Sequence, residues 1–432
     1  MTKSQDVAVR VAVIGAGTVG ATVVAQILEH GDDLRRRIGR PLEVVGVAVR
    51  DTQRARPELG DVHITADPLE LAADPRSDVV VELMGGVDKA YEVVRAALVR
   101  GASVVTANKA LIAARGIELH ALAHANGADL YYEGAVAGAI PLLRPLRESF
   151  VGDHITKVLG IVNGTTNYIL TQMTEFGLDY ALALQQAQQL GYAEADPTAD
   201  VSGQDSAAKA VILARLAFHT DVDIAEVSVE GIESVSIDDI EAAQAMGFVI
   251  KLLAVAEIAD ASGVVVRVHP TLVPQSHPLA SVRGPFNAVF VSATAAGDVM
   301  FYGRGAGGAP TASAVVGDLV TAARNIATGS RGFAVEPYAG LSTLPLGCAR
   351  TRYYVNLHVA DEPGVLATVA TVFAANGVSI SVVRQDGAGE EASLVVRTHE
   401  ASDAALAHTV SQLRDLPAVR SVVGVMRVEG EQ

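Results

Sequence analysis

Residues 7–20 read VAVRVAVIGAGTVG, and this stretch decides the fold. Val7 to Ile14 is a β-branched apolar run, which predicts a buried strand. The turn Gly15-Ala16-Gly17-Thr18-Val19-Gly20 has Gly-x-Gly-x-x-Gly spacing, and a helical pattern follows to about His30. Three glycines so spaced allow a tight turn, the approach of a pyrophosphate and close packing of helix on strand. Alone the pattern also suits an ordinary glycine-rich turn. Strand before and helix after are what the dinucleotide reading requires, so Gly15, Gly17, Thr18, Val19 and Gly20 are expected to hold a cofactor.

Outward from that turn, strands are expected at Leu42 to Val49, Val79 to Leu83 and Ser103 to Thr106, with helices between, such as Asp88 to Arg100. Alternating strand and helix with β-branched strands predicts an α/β, Rossmann-type, doubly wound parallel sheet. The second strand runs into Arg50-Asp51. A carboxylate there suits a ribose 2′-hydroxyl and an arginine suits a 2′-phosphate. With both present, NADP(H) is favoured and NAD(H) tolerated; a solvated Arg-Asp pair is the alternative. Thr106-Ala107-Asn108-Lys109 stands at the C-terminal end of a strand, where ligands bind such sheets, so Lys109 could meet a carboxylate or the reacting centre; a plain lysine at a loop tip is the equal alternative.

Beyond about residue 140 the pattern becomes α+β. Expected helices are Leu178 to Leu190 and Gln204 to Phe218; expected strands are Ile155 to Val162, Val264 to His269 and Ala288 to Ser292. Thr311 to Ala327 reads as a helix that packs back on the first domain. The segment 331–349, with Pro337, Gly340, Pro345 and Gly347, reads as a linker. Strands at Tyr353 to Val359, Ser379 to Val383, Ser393 to Arg397 and Ser421 to Val428, with helices opening at an Asp361 cap and at Ser402, spell a ferredoxin-like βαββαβ module. Domains are therefore expected at 1–140, 141–330 (311–330 returning to the first) and 350–432.

The chain has 432 residues, enough for two or three domains of about 100–200 residues, and half of them are apolar. A formal charge of −16 without a basic run argues against nucleic acid and anionic membranes. Apolar runs break before about 18–20 residues, so no membrane span is expected. Residues 1–6 are polar and do not resemble a signal peptide. The single cysteine, Cys348, excludes an intramolecular disulfide and multi-cysteine zinc, reads as a half-buried linker residue, and fits a cytoplasmic location.

Chemistry concentrates between Ala187 and Lys209. Gly191-Tyr192-Ala193-Glu194, Asp196, Asp200, Asp205 and Lys209 put four carboxylates and a lysine into one short stretch. Asp205 and Lys209 share a helix face, and Ala207, Ala208, Val211 and Ile212 surround them. A solvated i,i+4 pair is the bland alternative, yet a charged pair in so apolar a stretch is costly without a task. Asn163-Gly164-Thr165-Thr166-Asn167-Tyr168 offers donors at a helix N-terminus, with capping as the compatible plain reading. Tyr132 to Pro141 is rich in small residues whose carbonyls could turn to a cation, or that simply pack closely. Gly303 to Pro310, with Gly307 and Gly308, precedes a helix and could close on a nicotinamide or serve as a hinge.

Together these segments resemble homoserine dehydrogenase. The stretch Ala187–Lys209 is similar to that family's signature, and Thr106–Lys109, Asn163–Tyr168 and Gly303–Pro310 follow in the family's order. Asp361-Glu362-Pro363-Gly364-Val365-Leu366 resembles the opening of an ACT domain. The resemblance implies NAD(P)-dependent interconversion of L-homoserine and L-aspartate 4-semialdehyde, within threonine, methionine and isoleucine biosynthesis. It implies Lys209 as proton donor, with Asp205 and Lys109 beside it in catalysis. It places Glu194, Asp200, Asp205, Gly191 and Tyr192 on substrate, and Arg50, Thr106, Lys109, Gly191, Gly307 and Gly308 near the cofactor. Glu133, Val136, Gly138 and Ile140 match positions that hold a sodium ion. Asp361, Gly364, Val365, Leu366 and Asn376 would form an effector edge for L-threonine, in a homodimer or homotetramer. An oxidoreductase for another amino-acid semialdehyde, and a non-catalytic sensor, are the competing readings; neither needs the Gly191–Lys209 pattern.

Overall fold

A computed structural model describes residues 7–430 except 261–262, 334, 336 and 388–390. The polar start, residues 1–6, and part of the 331–349 segment lie outside the described residues. The chain divides into two compact units, one of residues up to Val158, Ala208–Ile224 and Asn287–Gly340, the other of Leu159–Ala207, Ala225–Phe286 and Leu341 onward.

The first unit opens with β1 (Val9–Ile14), α1 (Thr18–Glu29), α2 (Gly31–Ile38), β2 (Leu42–Ala48), β3 (Ile64–Thr65), α3 (Pro68–Ala73), β4 (Val79–Glu82), α4 (Asp88–Val99), β5 (Ser103–Thr106), α5 (Lys109–Asn126) and β6 (Leu130–Tyr131). Its parallel sheet runs β3-β2-β1-β4-β5-β6. The order reverses between β1 and β4, the switch point where such sheets bind ligands. Val9, Val11, Val13, Val79 and Val81 are fully buried, each worth about 1.5–3 kcal/mol of transfer free energy, so these strands read as continuous apolar runs.

The remaining elements are β7 (Ile155–Ile161), α6 (Gly164–Phe176), α7 (Tyr180–Gln189), α8 (Thr198–Val201), α9 (Gln204–Phe218), β8 (Ser228–Val229), α10 (Ile237–Ala245), β9 (Phe248–Asp260), β10 (Gly263–Pro274), β11 (Phe286–Ala293), β12 (Gly297–Arg304) and α11 (Gly308–Thr328), then β13 (Ser342–Thr343), β14 (Arg350–Ala360), α12 (Val365–Ala375), β15 (Ile380–Asp386), β16 (Glu391–Thr398), β17 (Ala401–Ser402), α13 (Asp403–Arg414) and β18 (Val419–Val428). Helix α11 belongs to the first unit, where Ala312, Val315 and Leu319 share a core with Val23 and Val24 of α1.

In the second unit β9 and β10 form a long antiparallel hairpin, and the sheet continues from β10 through β18, β14 and β16 to β15. The βαββαβ order from β14 to β18 stands as expected, around a core of Val355, Leu357, Val369, Phe373, Leu394 and Leu406. Its last strand also pairs with β10, Thr271 to Arg427 and Leu272 to Val428. A buried ion triad seals this seam. Arg267 is fully buried and donates to Glu257 Oε1 at 2.6 Å and to Glu429 Oε1 at 2.5 Å.

Two local expectations need correction. Asp361 does not cap α12. The N-cap is Gly364, whose φ of 93° is left-handed, and the Asp361 carboxylate instead accepts from Gln385 at 3.2 Å. An aspartate three residues earlier cannot reach the helix amides once the chain turns through that glycine. Cys348 is exposed rather than half-buried. Within the 331–349 segment, β13 pairs in parallel with β10, Ser342 with Gly263 and Thr343 with Val264.

Candidate active site

In the first unit each glycine of the opening turn has its own reason. Gly15 has φ +100°, and a Cβ there would lie 2.7 Å from Leu83 O. A Cβ on Gly20 would meet Gly15 O at 1.9 Å, so only glycine lets α1 start against the turn. A Cβ on Gly17 would meet nothing within 4 Å. Gly17 is the N-cap of α1 and supplies no side-chain cap. The first-turn amides of a 12-residue helix are thus presented to open space, an arrangement suited to a pyrophosphate. Helix α11 starts in the same way, on Gly307 with φ +125° and no side-chain cap. A Cβ on Gly308 would lie 2.6 Å from Thr18 Cγ2, so the two uncapped helix starts adjoin. Sequence reading anticipated both glycine loops but not that they meet.

Beside the switch point, Glu82 is fully buried at the end of β4. Its carboxylate accepts from Met84 N at 2.8 Å and from the Thr106 hydroxyl at 2.6 Å. Thr106 Oγ1 in turn accepts from Asn108 N at 2.9 Å, and Asn108 caps α5 through Leu111 N at 3.1 Å. The chain Glu82–Thr106–Asn108 therefore sets where α5 begins, and Lys109 is the first residue of that helix, half-buried. Glu82 was not singled out from sequence, although a carboxylate ending a wholly apolar strand is a usable signal. Arg50 and Asp51 are exposed just beyond β2, and the Asp51 carboxylate is turned onto Gln53 N at 2.9 Å.

Glu133 is buried and accepts from the amides of Leu142, Leu143 and Arg144 at 2.5, 2.7 and 2.9 Å. That occupies three of a carboxylate's roughly four lone-pair positions. Between them the chain turns through Ala137 and Gly138 at φ 56° and 46°, and Ile140 N closes on Ala137 O at 2.9 Å. Asp318 accepts from Glu133 N at 2.7 Å and from Arg144 at 2.5 Å. Burial, with the charge of Glu133, pushes Asp318 up to about 7 against the opposing guanidinium. Among the described residues no group of three His, Cys, Asp or Glu side chains could hold a metal. A cation at this turn would have to rest on carbonyls and the remaining lone pair of Glu133, a donor set that fits a hard, weakly charged ion.

In the second unit, Asn163 caps α6 with Oδ1 toward Thr166 N at 2.9 Å. Its amide nitrogen donates to Asp200 Oδ1 at 2.7 Å and to Asp205 Oδ2 at 2.8 Å. The Thr165 hydroxyl lies 2.6 Å from Tyr192 O and 3.2 Å from Asp200 Oδ2. The Tyr192 ring packs on Tyr168 with centroids 5.0 Å apart. Five predicted positions thus converge: Asn163, Thr165, Tyr192, Asp200 and Asp205. Gly191, with φ +75°, and Glu194 are exposed on the adjoining loop, and Glu194 is not part of this hydrogen-bond network. Helix α9 runs Gln204–Phe218 as expected, with Asp205 and Lys209 one turn apart and 6% and 8% exposed. That burial rules out the solvated-pair alternative.

A parallel sheet of this order with uncapped helix starts at its switch point defines a dinucleotide-binding protein of the Rossmann class. Residues 15–133 match the model of the homoserine dehydrogenase NAD-binding domain, 141–320 that of homoserine dehydrogenase, and 353–418 that of the ACT domain. The chain belongs to the homoserine dehydrogenase family. It is 51% identical over 431 residues to a homoserine dehydrogenase of Corynebacterium glutamicum, covering 99% of this chain and 97% of that one. It is 54% identical to one of Mycobacterium tuberculosis strain H37Rv, with 98% of each covered. The crystal structure of a homoserine dehydrogenase from Thiobacillus denitrificans superposes with a TM-score of 0.91 at 37% identity, covering 98% and 99% of the two chains. A hyperthermophilic archaeal homoserine dehydrogenase in complex with NADPH matches at 29% identity and TM-score 0.63, over 73% of this chain and 98% of that one. No helix among the described residues is long and apolar enough to cross a membrane.

Proposed function

We propose that this chain interconverts L-homoserine and L-aspartate 4-semialdehyde, with NADP(H) favoured over NAD(H). The carrying observation is the Asn163 carboxamide holding both Asp200 and Asp205, the latter one turn before Lys209 on α9. In the reducing direction a hydride adds to the aldehyde carbon and a proton to its oxygen. Lys209 supplies that proton, and its preorganised charge stabilises the oxyanion as it forms. Asp205 keeps Lys209 and substrate in register. Asp200, Glu194, Gly191 and Tyr192 bind the amino-acid end, and Lys109 stands by the nicotinamide. Gly15, Gly17, Thr18, Val19, Gly20, Thr106, Gly307 and Gly308 receive the dinucleotide, whose chemistry is hydride donation.

Support for NADP(H) comes from Asp51 being engaged with its own turn while Arg50 is exposed beside it. Glu133, Val136, Gly138 and Ile140 hold a sodium ion that fixes their turn. The ACT edge at Asp361, Gly364, Val365, Leu366 and Asn376 senses L-threonine, and the protein works in the cytoplasm as a homodimer or homotetramer. The enzyme would serve threonine, methionine and isoleucine biosynthesis.

The test follows nicotinamide absorbance with purified full-length protein, L-homoserine and either cofactor, with and without L-threonine. Turnover suppressed by threonine supports both parts. Turnover indifferent to threonine removes the effector, and no turnover with either cofactor removes the reaction.

A further inference from the structure

Lys251 lies on β9, far in sequence from every residue given a role above, and is 4% exposed. Its ammonium donates to Asn167 Oδ1 at 3.0 Å and to Val282 O at 2.5 Å. Asn167, 1% exposed, donates in turn to the carbonyls of Val282, Gly284 and Phe286 at 3.3, 2.9 and 3.2 Å. Thr171, one turn further along α6, donates to Asn167 O at 2.6 Å and accepts from Gly284 N at 3.1 Å. Gly164, the first residue of α6, sits so close to this segment that a Cβ would lie 2.8 Å from Pro285 O. The first turn of α6 is therefore locked onto residues 282–286, and Lys251 is the charged member of the lock.

An ammonium taken out of water onto neutral carbonyls is costly, and an apolar residue of similar length is often neutral or better for stability. The lock has a purpose in what else that turn carries. Asn163 caps it and holds Asp200 and Asp205, and Thr165 reaches Tyr192 O and Asp200. We propose that Lys251 is a positioning residue for the dehydrogenase reaction. Through Asn167 it fixes the start of α6, and with it the Asn163 carboxamide on which the two carboxylates rest. This rests on the functional reading above.

The charged groups facing Lys251 are Glu175 on α6 and Arg283 in the 282–286 segment, themselves paired at 2.8 Å. Burial lowers Lys251 to about 8, with Glu175 opposing the shift and Arg283 adding to it. Lys251 also lines a cavity of about 540 Å³ that is open to solvent, so its proton can exchange. A charged donor holds a carbonyl more strongly than a neutral amine does. The lock is thus full when Lys251 is protonated and weakens as pH rises through about 8.

The experiment compares full-length wild type with Lys251→Met and Lys251→Arg, reading kcat and KM for L-homoserine from about pH 6 to 10, NADPH affinity and thermal midpoint. Expected for Lys251→Met is a fall in kcat of about 10–100-fold, as for other outer-shell supports, with KM and NADPH affinity within about threefold. Lys251→Arg should recover part of the loss, and the alkaline decline of wild type should flatten in Lys251→Met. Wild-type kcat and pH profile in Lys251→Met overturn the proposal. So does a loss that matches only the unfolded fraction at the assay temperature. Failure of wild type itself on L-homoserine overturns the functional reading, and this proposal with it.

Discussion

Two clusters of carboxylates in the same unit differ in their partners. Glu257 and Glu429 close on the guanidinium of Arg267, at 2.6 and 2.5 Å. Asp200 and Asp205 are held by a carboxamide, and Asp200 also by a hydroxyl. A guanidinium cancels the charge it orients and so suits a seam between strands. A carboxamide and a hydroxyl orient a carboxylate without adding charge of their own, which suits a place where charge must meet a ligand. On the proposed reaction, the contrast separates charge that builds the fold from charge that serves chemistry.

The sharpest way to break the contrast is at the chemical cluster. Lys209→Ala should cut kcat by about 10²–10⁴-fold, the range for a lost general acid, while NADPH still binds and the thermal midpoint barely moves. Near-wild-type steady-state turnover would remove Lys209 from the reaction.

Next comes the seam. Arg267→Ala leaves two carboxylates facing each other in the dry interior and should cost about 3–5 kcal/mol, read as a lowered denaturant midpoint. If Arg267→Ala unfolds with the wild-type midpoint, the triad is not what joins β18 to β10. The same seam makes deletion of 350–432 a poor test of regulation, because it would strip β10 of a partner strand. Asn376→Ala in the full chain is better placed, since Asn376 bonds Gln412 at 2.8 Å and ties α12 to α13.

Asn163→Ala should lie between these two extremes. Losing hydrogen bonds to charged groups is worth about 1.5–3 kcal/mol, or roughly 10–100-fold in kcat/KM by the usual conversion, with little change in midpoint. An equal loss in both measures would put Asn163 with the structural group.

At neutral pH the smallest effect is that of His120, which shows only in acid. Burial, with Arg147 and Arg215 nearby, holds His120 down to about 3, where it meets the Tyr132 hydroxyl at 3.0 Å. A depressed pKa means the unfolded chain binds the proton first. The contribution is therefore complete above the ordinary value of 6.5 and is lost as pH falls from there toward about 3. His120→Asn should flatten that part of the stability–pH curve in urea titrations. An unchanged slope would show that other groups govern it.

Much of this was legible in the sequence because it is local. The glycine turn, the strand alternation and α9 all follow from neighbours within a few residues. Gly203, at φ +85°, even marks where α9 begins. What stayed hidden depends on distant partners. Asn163 lies 37 and 42 residues from the carboxylates it holds, and Arg267 lies 162 from Glu429. No periodicity records such pairings. Asp361 misled for the opposite reason, since a good local cap lost to a backbone turn at Gly364.

The strand pairing between β10 and β18 has a hereditary consequence. A small-molecule-sensing module tethered by a flexible segment can be exchanged between lineages as a cassette. Here the module's final strand lies beside β10 in one sheet, and Glu429 just beyond it closes on Arg267. A chimera that swaps the module has to bring a carboxylate to position 429 or leave the Arg267 guanidinium one partner short in the dry interior.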